Sequence, residues 1–137
     1  MISLDTNVII SALESADSRH VEALAALIRE QHQGYVISPV VYSELRAGPD
    51  WSRYQNWLNL TRISVMWSMP QAVWELAGVR QGEYAQLCRA GSRPRRILPD
   101  FLIAAHAEHH GLDVMGVDRT VYDSVFTGLK LVDPMKI

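Results

Sequence analysis

The sequence predicts an α/β fold: a three-layer α/β/α sandwich around a mostly parallel central sheet of four or five strands. Three observations carry this expectation. Short apolar runs rich in β-forming residues alternate with longer segments whose apolar residues recur at helical spacing. Small polar residues or prolines stand where an apolar run gives way to a helical pattern, as helix starts require. The chain has 137 residues, 48% of them apolar and 20% charged, which suits one globular domain over 1–137 with a real core. No repeat, linker or low-complexity segment interrupts it.

Ile2 and Leu4 suit a short strand that turns at Asp5 directly into a helix carrying Val8, Ile9, Ala12 and Leu13. Ser18 is placed to cap a second helix with Val21, Leu24, Ala25, Leu27 and Ile28, which runs toward Gln33 and stops at Gly34. Tyr35 to Ser38 reads as the second strand. Pro39 suits the first turn of the next helix, which holds Val40, Val41, Glu44 and Leu45 and ends at Gly48 and Pro49. Asp50 can cap a helix containing Trp51, Tyr54, Trp57 and Leu58, aromatic and apolar positions expected in the core. Arg62 to Val65 suggests a third strand. Pro70 opens the longest helix, through Val73, Trp74, Leu76, Ala77, Tyr84 and Leu87 to Gly91, with Gly78 and Gly82 marking where it would break. Cys88 reads as a residue of that helix. Ser92, Arg93, Pro94, Arg95 and Arg96 form a basic loop. Pro99 and Asp100 start a helix with Phe101, Leu102, Ala104 and Ala105, stopped by Gly111. Val114 to Val117 is the fourth strand, ending on Asp118. A helical turn follows, and Leu129 to Val132 suggests a last strand.

Composition narrows the functional classes. No apolar run approaches the ~20 residues of a membrane span, and Met1 leads straight into a strand with no signal peptide. Cys88 is the single cysteine, so no internal disulfide is possible, and a cytoplasmic protein is expected. The net charge of −2 conceals an uneven distribution. Arg80, Arg89, Arg93, Arg95 and Arg96 lie together against the lone acid Glu83, and arginine is the side chain suited to forked phosphate contacts.

Topology then brings distant acids together. In a parallel α/β sheet the carboxyl ends of strands and the amino ends of crossover helices share one edge. Asp5 and Asp118 each end a strand, Asp100 opens a helix, and Glu44 lies beside the apolar stripe of the helix after the second strand. Singly, each has a plain structural reading as a cap, a turn residue or a surface acid. Jointly they form a crowd of carboxylates that repel unless a hard cation sits among them. Oxygen-only ligands suit Mg²⁺ or Mn²⁺, which can activate water and hold a phosphodiester for attack. His106 and His110 share a helix face but lack the partners of a zinc site, and an exposed polar helix end is the simpler account.

The blocks Leu4-Asp5-Thr6-Asn7-Val8-Ile9, Ser38-Pro39-Val40-Val41-Tyr42-Ser43-Glu44-Leu45, Pro99-Asp100-Phe101-Leu102-Ile103-Ala104-Ala105-His106-Ala107 and Gly116-Val117-Asp118 occur in this order over the whole chain. In these the chain resembles PIN-domain proteins, and most closely the VapC-type toxin ribonucleases of bacterial toxin–antitoxin pairs. The resemblance implies a metal-dependent endoribonuclease with Asp5, Glu44, Asp100 and Asp118 as both catalytic and metal-holding acids. It also implies Mg²⁺ or Mn²⁺ as cofactor, RNA as substrate, inhibition by a cognate antitoxin, and a homodimer. Thr6 matches a family position whose hydroxyl supports the first acid. Gly116 departs from the pattern, since many members carry threonine there. Asp123 is an outer supporting residue expected to fix Arg119 or the following turn, and Arg93, Arg95, Arg96 and Arg119 are the expected substrate contacts. A non-catalytic PIN-like nucleic-acid- or protein-binding module is the alternative. Phosphate-transfer folds with a strand-end Asp nucleophile want a second acid where Asn7 stands, and no glycine-rich phosphate loop occurs.

Overall fold

Asp5 and the residues before it set the centre of the molecule. The computed structural model describes residues 1–91 and 93–136; within the expected basic loop, Ser92 lies outside the described residues. The strands are β1 (Ile2–Leu4), β2 (Tyr35–Ile37), β3 (Ser64–Val65), β4 (Asp113–Met115) and β5 (Leu131–Val132). The helices are α1 (Thr6–Leu13), α2 (His20–Arg29), α3 (Pro39–Ala47), α4 (Trp51–Thr61), α5 (Gln71–Ala90), α6 (Leu98–His109) and α7 (Thr120–Ser124), with a 3₁₀ turn at Gln31–Gln33. All strand pairs are parallel and the sheet order is β3-β2-β1-β4-β5. The expected three-layer sandwich therefore forms with five strands.

Strand alternation divides the core. Ile2, Leu4, Ile37 and Met115 face one way and pack with α1, α2, α3 and α4, while Val36 and Val114 face the other way and pack with α5, α6 and α7. Burial of this kind contributes about 1.5–3 kcal/mol for each large apolar side chain. α6 is buried along Phe101 to Ala107, so it runs through the interior rather than over it. Of the aromatic cluster, Tyr54 and Leu58 are buried, whereas Trp51 and Trp57 are half-buried.

Local chemistry explains most boundaries. Ser38 is fully buried and its Oγ accepts a hydrogen bond from the Val41 N–H at 3.2 Å, capping α3 with Pro39 in its first turn. Gly34 (φ 77°) and Gly111 (φ 67°) adopt left-handed conformations just after helical segments, which side-chain-bearing residues resist.

Four expectations need correction. α5 is an unbroken helix of 20 residues despite Gly78 and Gly82; both face solvent, and packing along α6 carries the helix through them. Ser18 does not cap α2, which starts at His20; Asp17 Oδ1 instead accepts from the Arg19 N–H at 2.8 Å. β4 ends at Met115, so Asp118 sits in the loop beyond the strand rather than on its last residue. His106 is not part of an exposed helix end. It is fully buried, and its Nε2–H donates to the Met66 carbonyl at 2.8 Å, tying α6 to the segment after β3. Among the described residues no helix is long and apolar enough to cross a membrane.

Candidate active site

From β1 the chain builds outward through β2 and β3, then returns to the other side of β1 to lay down β4 and β5. The loops after β1 and β4 thus leave the sheet in opposite directions, and the gap between them is the topological switch point where open α/β sheets bind ligands. Asp5 follows β1, and its backbone N–H donates to the Met115 carbonyl at 3.0 Å. Gly116, the next residue of the neighbouring strand's exit, passes very close: a Cβ there would lie 3.3 Å from Asp5 Oδ2. The glycine that departs from the family pattern therefore gives the Asp5 carboxylate its space.

Asp5, Asp100 and Asp118 share with Arg96 a cavity of about 20 Å³, lined also by Ile103, Val121 and Tyr122. That is room for roughly one water molecule. Glu44 does not line the cavity but is linked to it. The Thr6 hydroxyl donates to Glu44 Oε1 at 2.7 Å, while the Thr6 N–H donates to Asp5 Oδ1 at 2.7 Å. The resemblance assigns the Thr6 hydroxyl to the first acid; in the structure its backbone serves Asp5 and its hydroxyl serves Glu44. Asp100 Oδ2 accepts from the Ile97 N–H at 3.1 Å and so caps α6. Asp5 and Asp100 each use one oxygen at a helix start, as the capping reading expects, and each also lines the acid cavity. Asp5 Oδ2, Glu44 Oε2 and Asp100 Oδ1 have no hydrogen bond among the described residues. Asp118 differs: Oδ1 accepts from the Thr120 N–H at 3.0 Å, and Oδ2 is ion-paired with Arg96 Nη2 at 2.6 Å.

These environments push the acids apart. Burial raises the Asp5 pKa from 3.8 to about 6; the Thr6 N–H opposes the rise, and the charges of Glu44, Asp100 and Asp118 add to it. Burial also pushes Asp118 upward, but hydrogen bonds from Thr120 and the Arg96 guanidinium outweigh it and hold Asp118 below the usual range. The Tyr122 phenol is driven far upward by burial and by the same three aspartates, so it stays protonated at the cavity wall. Tyr122 has no signal in the sequence beyond lying one helical turn past Asp118.

The remaining expected residues lie around this centre. Arg119 Nη2 pairs with Asp123 Oδ1 at 3.3 Å on the surface. Arg93 and Arg95 are exposed, and with Arg96 they border a second cavity of about 370 Å³ against Gln81, Tyr84 and Cys88 of α5. The all-oxygen donor set suits a hard divalent cation, and the charges of Glu44, Asp100 and Asp118 add to the burial that raises the Asp5 pKa. Among the described residues, no three His, Cys, Asp or Glu side chains are grouped so as to hold an ion as they stand, so the carboxylates would have to close on one.

The model of the PIN domain family matches residues 2–123. No curated protein sequence matches the chain significantly. Solved structures do resemble it in fold. FitAcB from Neisseria gonorrhoeae superposes with a TM-score of 0.70 at 18% identity, covering 100% of both chains. A toxin–antitoxin complex from Klebsiella pneumoniae gives 0.70 at 22% identity, again over 100% of both chains. VapC20 from Mycobacterium tuberculosis, described as a sarcin-ricin loop cleaving toxin, gives 0.58 at 18% identity over 90% of this chain and 94% of that one.

Proposed function

The chain belongs to the PIN domain family, and from that premise we propose that it is a metal-dependent endoribonuclease, the toxin of a type II toxin–antitoxin pair. The observation that carries the reading is the set of three aspartates from three separate elements around one small cavity, with Glu44 joined to them through Thr6. Fold likeness to a toxin described as cutting the sarcin-ricin loop supports RNA as substrate. Likeness to toxin–antitoxin complexes supports a cognate antitoxin. A homodimer rests on the family resemblance. An RNA substrate implies action in the cytoplasm.

In this reading Asp5, Glu44 and Asp100 offer their free oxygens, and Asp118 its carboxylate, to Mg²⁺ or Mn²⁺. Bound there, the ion would neutralise the acids, activate a water and polarise the phosphate. Ile103, Val121 and Tyr122 form the apolar side of the cavity, which lowers the local dielectric beside Asp5 and strengthens its electrostatic contacts. Arg93 and Arg95, exposed beside the site, hold backbone phosphates and give affinity without sequence choice. Asp123 fixes Arg119 at the edge.

The test is cleavage of RNA by the purified chain with Mg²⁺, Mn²⁺ or EDTA. Asp5→Asn is expected to lower metal-dependent cleavage by roughly a hundredfold or more, since even outer partners of a metal cost 10–100-fold. Cleavage by this variant at the wild-type rate contradicts the assignment. Absence of divalent-dependent cleavage in the wild type favours the non-catalytic module instead.

A further inference from the structure

We propose that Arg96 is a latch on the candidate metal site: it takes the cation's place at Asp118 and must swing out before the four acids can close on an ion. This rests on the metal-site reading above and deepens it. Its basis is the account of carboxylate oxygens. Asp5, Glu44 and Asp100 each keep one oxygen free of hydrogen bonds among the described residues, whereas both Asp118 oxygens are engaged.

The guanidinium is held from three sides. Nη2 meets Asp118 Oδ2 at 2.6 Å and Thr120 Oγ1 at 3.2 Å, and Nη1 donates to the Arg95 carbonyl at 2.7 Å. It lines the acid cavity itself, so its charge opposes entry of a divalent ion while neutralising the carboxylates. Between the carboxylates and the guanidinium there is space for about one water, so an ion seated against Asp118 would meet the guanidinium charge at close range.

A second seat lies ready. Arg96 also borders the larger cavity between α5 and the basic loop, where Arg93 and Arg95 stand. Rotation of one side chain moves its charge from the acid cavity to the phosphate-facing side. The ion pair is only partly shielded, with side-chain exposures of 22% for Arg96 and 44% for Asp118, so it can be opened at modest cost.

The test compares Mg²⁺ affinity of the RNA-free protein by calorimetry in wild type, Arg96→Gln and Arg119→Gln. Loss of the latch is expected to tighten Mg²⁺ binding about fivefold, the ratio associated with breaking a half-exposed ion pair. Arg119→Gln removes an equal charge whose partner is Asp123 outside the cavity, and is expected to leave affinity within about twofold. In ¹⁵N spectra of the wild type, the Arg96 side-chain signals are expected to show hindered rotation without metal and free rotation in saturating Mg²⁺. Equal affinity in wild type and Arg96→Gln, equal tightening by Arg119→Gln, or an Arg96 signal unmoved by saturating Mg²⁺ overturns the latch alone. Failure of all three proteins to bind Mg²⁺ contradicts the metal-site reading, and the latch with it. The wild-type spectra decide the matter even if Arg96→Gln does not fold.

Discussion

Asp5 is held by the fold in an environment that favours its neutral form. Its pKa near 6, against 3.8 in a solvated chain, means that folded protein binds more protons than unfolded protein between those values. The stability it contributes is therefore complete below pH 4 and lost as pH rises through 6, by on the order of 3 kcal/mol. Asp118 has the opposite sign: its depressed pKa supplies stability that disappears as the medium becomes strongly acidic. Asn at position 5 keeps the oxygen that accepts from the Thr6 N–H but carries no charge. In EDTA, denaturant unfolding of Asp5→Asn is expected to show a protein more stable than wild type by about 2–3 kcal/mol above pH 6, with the gap closing toward pH 4. A variant less stable than wild type at pH 7 would mean that burial and the neighbouring acids do not disfavour the Asp5 charge. Gly116 belongs to the same residue-level design, because a side chain there presses on the Asp5 carboxylate.

At the scale of elements, α5 shows how packing overrides propensity. Each of Gly78 and Gly82 costs about 1 kcal/mol relative to alanine, yet the helix runs unbroken on α6. Nothing lies within 4 Å of where a Cβ would stand at either position. Gly78→Ala and Gly82→Ala are each expected to raise unfolding free energy by about 0.5–1 kcal/mol in chemical denaturation. A loss of stability would show that α5 needs flexibility at these points. Elements with local signals were legible in the sequence: the strand–turn–helix at Asp5, the Ser38–Pro39 helix start, and Gly111 as a stop, whereas α2 ends at Arg29, short of the expected stop at Gly34, which closes the 3₁₀ turn instead. What failed depended on distant partners. The continuity of α5 needs α6, the burial of His106 needs Met66 from 40 residues away, and the Thr6 hydroxyl finds Glu44 across 38 residues. The candidate acids could be read because sheet topology fixes which edge they occupy. The Arg96 pairing and the place of Tyr122 could not, since each is decided by side-chain rotation within the assembled edge.

For the whole molecule, the parallel sheet with β1 at its centre turns local junctions into one site. Reversal of strand direction of growth at β1 and β4 opens the gap into which the loops bring Asp5 and Asp118, and α6 delivers Asp100 by its amino end. Buried faces on both sides of the sheet hold these loops in place, so carboxylates that repel one another remain close together. Such an arrangement is costly to a domain of marginal stability, and a cation bound there would convert that cost into affinity. The most direct measurement is anomalous diffraction from crystals equilibrated with Mn²⁺. Density for an ion bounded by Asp5, Asp100 and Asp118, with Arg96 turned away from Asp118, is the expected result. An acid cavity without the ion at saturating Mn²⁺, or Mn²⁺ bound only elsewhere on the chain, contradicts the account.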